Sequence, residues 1–429
     1  MSAMATSKPG SPPAPDRAAV NRALVRLITK AAIGLGVFLS GFVINEPAPY
    51  ELYMAGLIAI WALFGLRISR TAAVLLALLV LFNFGGVISA TQMPDLKSAP
   101  LYIAVSLFLA FTAVFFAAII EADYRRLQVI FRAYYLAALI TSVCGILGYF
   151  DAFPGADMFT LYGRAKGAFQ DPNVFGPFLI LPMIWSIHQI LTGRLRALPL
   201  HLLPLLIIVF GLFLSFSRAA WGMLAVAMIL LPLILAIRNR SNKFRLKLII
   251  LAILALLIIG LALAASLQIP RVAELFFERA QLVQSYDSDR IGRFARHWYG
   301  LVMAVQHPLG IGPLEFGPIY GEDTHNIWLK AALDYGWLGF IAFLTMTMLT
   351  IGMGLRILLR DRPWQPFLLC AYLTYLTHVM VGNVIDTDHW RHFYLLIGII
   401  WGCVALENRY QENERRMGKI IESRSNGRQ

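Results

Sequence analysis

LLPLLIIVFGLFLSFSRAAWGMLAVAMILLPLILAI, residues 202–237, is two apolar runs divided by one short polar turn, SFSR at 215–218. Each run approaches the twenty or so residues that cross about 30 Å of hydrocarbon. Lipid offers no water to satisfy the backbone, so a spanning segment must be a helix or part of a closed barrel. These runs are rich in Leu, Ile and Ala and lack the period-two alternation of a barrel strand, which leaves helices. The same texture recurs along the chain, which is 59% hydrophobic and only 14% charged. The predicted fold class is all-α: a polytopic membrane protein with about twelve transmembrane helices. Their expected centres lie near Gly36, Ile58, Leu81, Phe108, Ala138, Met183, Ile207, Ala227, Ala255, Phe343, Tyr372 and Ile399.

Basic residues orient the helices. With the N-terminus in the cytoplasm, every second loop should be rich in Lys and Arg. Those loops carry Arg67 and Arg70, Arg125 and Arg126, Arg194 and Arg196, the group from Arg238 to Lys247, and Arg356, Arg360 and Arg362. The C-terminal stretch is basic as well. The formal charge of +13 is thereby explained without nucleic acid. Residues 1–26, rich in Pro, Ser and Ala, read as a disordered cytoplasmic tail, and 407–429 as a second cytoplasmic tail. Residues 27–267 hold the first nine helices and 334–406 the last three. Residues 268–333 form a large outward loop containing amphipathic helices. Cys144, Cys370 and Cys403 fall inside apolar runs and read as small buried hydrophobes.

Arginines on the outward side cannot be orientation signals, so they need another reason. Arg164 and Lys166 stand in YGRAKGAFQDPNVFG (162–176), and Arg218 closes the SFSR turn. Arg218 has two readings: a guanidinium snorkelling to the interface, or a fork holding phosphate in a cavity. Arg290, Arg293 and Arg296 recur every third residue and share one stripe of an amphipathic helix that should end at HPLGIGP (307–313). They form either a basic face against lipid headgroups or a pyrophosphate clamp. His325 and Asn326 follow the polar turn GEDT (321–324) and open an apolar helix that Thr324 or Asp323 would cap. The helix dipole there favours a neutral imidazole, which can accept a hydroxyl proton. Asp386 and Asp388, in GNVIDTDHWRHF (382–393), are either solvated loop acids or groups that orient an arginine or an acceptor. No histidine pair has metal-ligand spacing and no phosphate-binding glycine loop is present, so neither metal nor cofactor is expected.

Taken in order over roughly residues 160–345, GAFQDPNVFG, SFSRAAW, GRFARHW, HPLGIGPLEF, DTHNIWL and ALDYGWLGF resemble the O-antigen ligase and polymerase superfamily of bacterial envelope proteins, which shares the Wzy-C region. The resemblance implies a GT-C-type glycosyltransferase of the inner membrane with a periplasmic active site. Such an enzyme moves a glycan from undecaprenyl pyrophosphate to a hydroxyl, as on lipid A core oligosaccharide, by a metal-independent inverting reaction. By motif position, His325, Arg218 and Arg293 would be catalytic, with Arg290 as the substitute for Arg293. Arg164, Lys166, Asn326, Arg296, Asp386 and Asp388 would bind substrate. A polymerase using the same donor is the alternative, and a transporter or flippase of the carrier-linked glycan is a further one.

Overall fold

The computed structural model describes residues 17–96, 98–280 and 292–426. Each of the expected span centres falls inside a helix. Against the expected twelve spans, six helices among the described residues are long and apolar enough to cross a membrane: Arg70–Ala90, Ala99–Ala122, Arg126–Tyr149, Pro172–Thr192, Arg218–Arg238 and Gly336–Leu358. Pro49–Leu63 and Leu198–Leu214 are apolar but shorter. Apart from a two-residue hairpin pairing Thr160–Leu161 with Arg164–Ala165, the described chain is helical, coil and turn.

In chain order the helices are α1 (Arg17–Leu39), α2 (Pro49–Leu63), α3 (Arg70–Ala90), α4 (Ala99–Ala122), α5 (Arg126–Tyr149), α6 (Pro172–Phe178), α7 (Ile180–Thr192), α8 (Leu198–Leu214), α9 (Arg218–Arg238), α10 (Asn242–Ser266), α11 (Pro270–Ala280), α12 (Arg293–Gln306), α13 (Phe316–Tyr320), α14 (Ile327–Asp334), α15 (Gly336–Leu358), α16 (Gln365–Val381) and α17 (Arg391–Asn426). Helix α1 begins at Arg17, so residues 17–26 are helical rather than a disordered tail, and residues 1–16 lie outside the described part. At the other end α17 runs unbroken to Asn426, and the predicted tail from 407 is its continuation.

The core forms where α17 packs on α4, α15 on α3, α3 on α4, and α5 on both α1 and α8. Without a hydrophobic force between helices in lipid, close approach of small residues supplies the packing. Gly398 and Gly402 of α17 show it. A methyl on Gly398 would sit 2.7 Å from the Ala113 carbonyl oxygen, and one on Gly402 would sit 2.9 Å from Ile120 Cβ.

The predicted outward loop contains α11 to α14. Helix α12 is amphipathic, but it begins at Arg293 rather than Arg290, which lies outside the described residues, and in place of one basic stripe its two faces have different fates. Arg296, Gly300 and Ala304 are buried, four residues apart, against the segment leading into α14. Phe294, Trp298, Leu301 and Val305 form an exposed apolar stripe on another face. Such a helix suits the boundary between headgroups and acyl chains.

Candidate active site

The site is built from two clusters on the side of the molecule where α9 and α14 begin. The first surrounds His325. Asn326 caps α14, its Oδ1 accepting from the Trp328 and Leu329 backbone N–H groups at 3.0 and 3.2 Å. The expected caps, Thr324 and Asp323, serve elsewhere: the Thr324 hydroxyl donates to the Asn326 carbonyl, and Asp323 accepts from Lys330. Asn326 lies in the left column of allowed backbone space (φ −146°) with its side chain committed to the helix, so it is a positioning group rather than a free ligand. Its Nδ2 donates to the Asn383 carbonyl at 3.1 Å, and the Ile327 N–H donates to the Gly382 carbonyl at 2.8 Å.

These two bonds clamp the start of α14 to the loop after α16, and that clamp places Asp386 beside His325. The Asp386 Oδ2 lies 3.5 Å from His325 Nδ1, while Glu322 Oε2 lies 3.9 Å from Nε2. His325 itself has φ 49°, the left-handed region that a residue with a Cβ seldom occupies. Glu322 also accepts Arg296, Nη1 to Oε2 at 2.6 Å, with the arginine side chain almost fully buried. Arg296 therefore reads as a brace for the 321–325 turn. His297, the next residue, is held below the ordinary imidazole range first by burial and then by Arg293 and His325, against opposing effects of the Thr324 carbonyl and Asp386. Arg293, His297, Asp386 and His325 thus share one electrostatic neighbourhood. Arg290 lies outside the described residues.

The second cluster surrounds Arg218. Ser217 caps α9, its Oγ accepting from the Ala220 N–H at 3.4 Å, and Arg218 is the first helical residue. A cation at a helix N-terminus stands against the dipole, so an anion seated there improves the electrostatics. The turn before it is fixed by Arg164, which is buried. Its Nε donates to the Ser215 carbonyl and its Nη2 to Asn173 Oδ1, both at 2.8 Å. Asn173 is in turn held by Asp171, which caps α6 and accepts the Asn173 N–H at 2.6 Å. Expected among the substrate ligands, Arg164 is committed to shaping the SFSR turn. Lys166 is half-buried on the same hairpin, where its N–H donates to the Phe159 carbonyl.

A cavity of about 120 Å³ has Gln170 and Val174 on one wall and His389 and Trp390 on another, so the loop carrying Asp386 borders the segment around the start of α6. Asp388, on that loop, is not a solvated acid. It is 3% exposed, accepts the Tyr102 hydroxyl at 2.5 Å and lies 2.8 Å from His389 Nδ1. Burial opposes its charge, but His389, Lys330 and Tyr102 outweigh that and hold the carboxyl well below the usual range. These partners tie it to the protein rather than to a substrate. Asp386, read from the sequence as either a solvated loop acid or a group orienting an arginine or an acceptor, faces an imidazole. Glu322 was not singled out from the sequence, although a carboxylate three residues before a histidine in a turn was a usable signal.

No curated protein matches the chain. Residues 203–344 match the family model described as O-antigen ligase, a stretch running from α8 through the SFSR turn, the arginine helix and His325 into α15. The matched stretch contains Arg218, Arg293 and His325.

Proposed function

We propose that the protein is an inner-membrane glycosyltransferase of the ligase type. It would take a glycan from undecaprenyl pyrophosphate at the periplasmic face and pass it to a hydroxyl of an acceptor such as lipid A core oligosaccharide. The observation that carries this reading is the setting of His325: a left-handed histidine between Asp386 and Glu322, one residue ahead of a helix cap and beside the arginine helix, within the matched family region. The distribution of basic residues supports the orientation, with both termini cytoplasmic.

In the proposed reaction the acceptor oxygen bonds to the anomeric carbon as the carbon–oxygen bond to pyrophosphate breaks. The electron pair leaves with the pyrophosphate, and the hydroxyl proton passes to His325. Asp386 beside Nδ1 fixes the ring and favours a proton on that nitrogen, leaving Nε2 to accept, the logic of any oriented base. Arg218 and Arg293 neutralise charge developing on the leaving group, a task two preorganised cations can perform without a metal. Attack opposite the leaving group inverts the anomeric carbon. The exposed apolar stripe of α12 would rest in the membrane surface, where a polyprenyl carrier is delivered.

The test uses purified full-length protein in nanodiscs with carrier-linked glycan, acceptor and chelator. His325→Ala and Arg218→Ala should each abolish measurable transfer, and Arg293→Lys should lose more than Arg290→Lys if Arg293 supplies the bidentate fork. Wild-type rates from His325→Ala would sink the catalytic assignment. Product in which repeats are joined on the carrier, with none on the core acceptor, would replace ligase by polymerase. Movement of carrier-linked glycan across the bilayer without transfer would replace both by a flippase.

A further inference from the structure

Helix α9 runs from Arg218 to Arg238, 21 residues, or about 30 Å at 1.5 Å per residue. Its far end therefore reaches the opposite membrane surface. There the structure holds a cavity of about 880 Å³, between the ends of α7 and α9, the start of α10 and the turn after α15. The volume suits a lipid headgroup together with part of a chain, within the range of small-ligand sites.

Three cations line it, Arg238, Arg240 and Lys247, against one carboxylate, Asp361. Asp361 is fully exposed and lies 3.7 Å from Arg238, so solvent screens its charge. Arg238 also donates to Gln365, and Lys247 donates to the Leu191 carbonyl at 2.8 Å, which fixes both head groups at the cavity wall. Arg240 is exposed at the rim. The rest of the lining is mostly apolar, with Leu235, Ile237, Phe244 and Leu359 beside Thr192 and Asn239. Cations set beside an apolar lining match an amphiphile with an anionic head better than a free anion.

We propose that this cavity binds the phosphate headgroup of an anionic diacyl lipid, held by Arg238, Arg240 and Lys247, with part of an acyl chain against Leu235, Ile237 and Phe244. The site is separate from the outward clusters and its occupancy does not depend on the transfer reaction. Basic groups near an anionic membrane surface contribute about fivefold each to binding. Neutralising two of them should weaken binding about thirtyfold, on the same per-residue contribution.

The experiment is lipid retention by native mass spectrometry of the full-length protein, released from phosphatidylcholine nanodiscs with increasing phosphatidylglycerol. Wild type should retain phosphatidylglycerol in preference to phosphatidylcholine. The Arg240→Gln/Lys247→Gln protein should lose that preference, while Asp361→Asn should strengthen it, so one variant gains where the other loses. Equal retention of the two lipids, or retention unaltered in both variants, overturns the proposal. Displacement of the phosphatidylglycerol by millimolar inorganic phosphate also overturns it, by marking a free-anion site.

Discussion

Lys330→Met removes the counter-charge of an acidic group sealed behind the candidate site. Lys330 is 4% exposed, with Nζ 2.9 Å from Asp323 Oδ2 and 3.3 Å from Asp334 Oδ2. Asp386 and Asp388 also act on it, and these acids outweigh its burial and hold its pKa well above the ordinary lysine value. Burial pushes Asp334 up to about 7 even though Lys330 opposes the shift. Methionine fills a similar volume but leaves Asp334 and Asp388, 1% and 3% exposed, without the ammonium. Breaking one side of a buried ionic group costs about 3–5 kcal/mol.

The pH dependence has a definite sign. A carboxyl whose folded pKa is raised contributes stability fully below its unfolded value, near 3.8, and loses it as pH rises through about 7. Without Lys330 the folded pKa climbs further, so Asp334 stays protonated higher and the cost of ionising it grows by about 1.4 kcal/mol per unit of climb. The difference between variant and wild type should therefore be smaller at pH 5.5 than at pH 8.5. Thermal unfolding in nanodiscs, followed by tryptophan fluorescence at both pH values, measures it. Lys330→Met/Asp334→Leu should recover much of the loss at high pH. A destabilisation under about 1 kcal/mol, of the surface-pair size, or one identical at both pH values, would refute the buried-charge account.

Asp386→Asn keeps the shape beside His325 Nδ1 but removes the charge, and on the proposed mechanism should lower kcat by about 10²–10⁴-fold with little change in KM or melting temperature. Equal kcat would leave Asp386 a loop acid. Arg164→Leu strips the Ser215 carbonyl and Asn173 of their donor, so it should destabilise by about 1–3 kcal/mol and weaken donor binding through a loosened SFSR turn. Unfolding curves and donor titrations report the two effects separately. Gly336→Ala, at φ 65° and with its new methyl 2.7 Å from the Leu309 carbonyl oxygen, should cost at least about 1 kcal/mol, read as a lowered unfolding midpoint.

The helices were legible because hydropathy and length dictate what a lipid-facing backbone does, and the centres expected from the sequence all lie in helices. The arginine helix and its stop at His307 were legible for a similar reason: periodicity and a Pro-Gly breaker are local. What joins distant segments was not. Asp386 meets His325 across sixty-one positions because two backbone bonds clamp the start of α14 to residues 382–383. Arg164 reaches Ser215 across fifty-one, which turns an apparent anion ligand into a brace. Asp388 looked like a loop acid because nothing near it in sequence announces Tyr102 as its partner. Charge type can be read from one chain; the direction in which a charged side chain is turned depends on contacts between segments.

The left-handed backbone at His325 sets stability and activity against each other. A side chain in that conformation costs about 1 kcal/mol or more, which selection for folding alone would remove by placing glycine there. His325→Gly should give a protein that melts later than His325→Ala, because glycine adopts this geometry freely, while both lack the imidazole. An inactive variant that outlasts the alanine protein on heating would mean that the histidine is kept for what its ring does, at the expense of the chain that carries it.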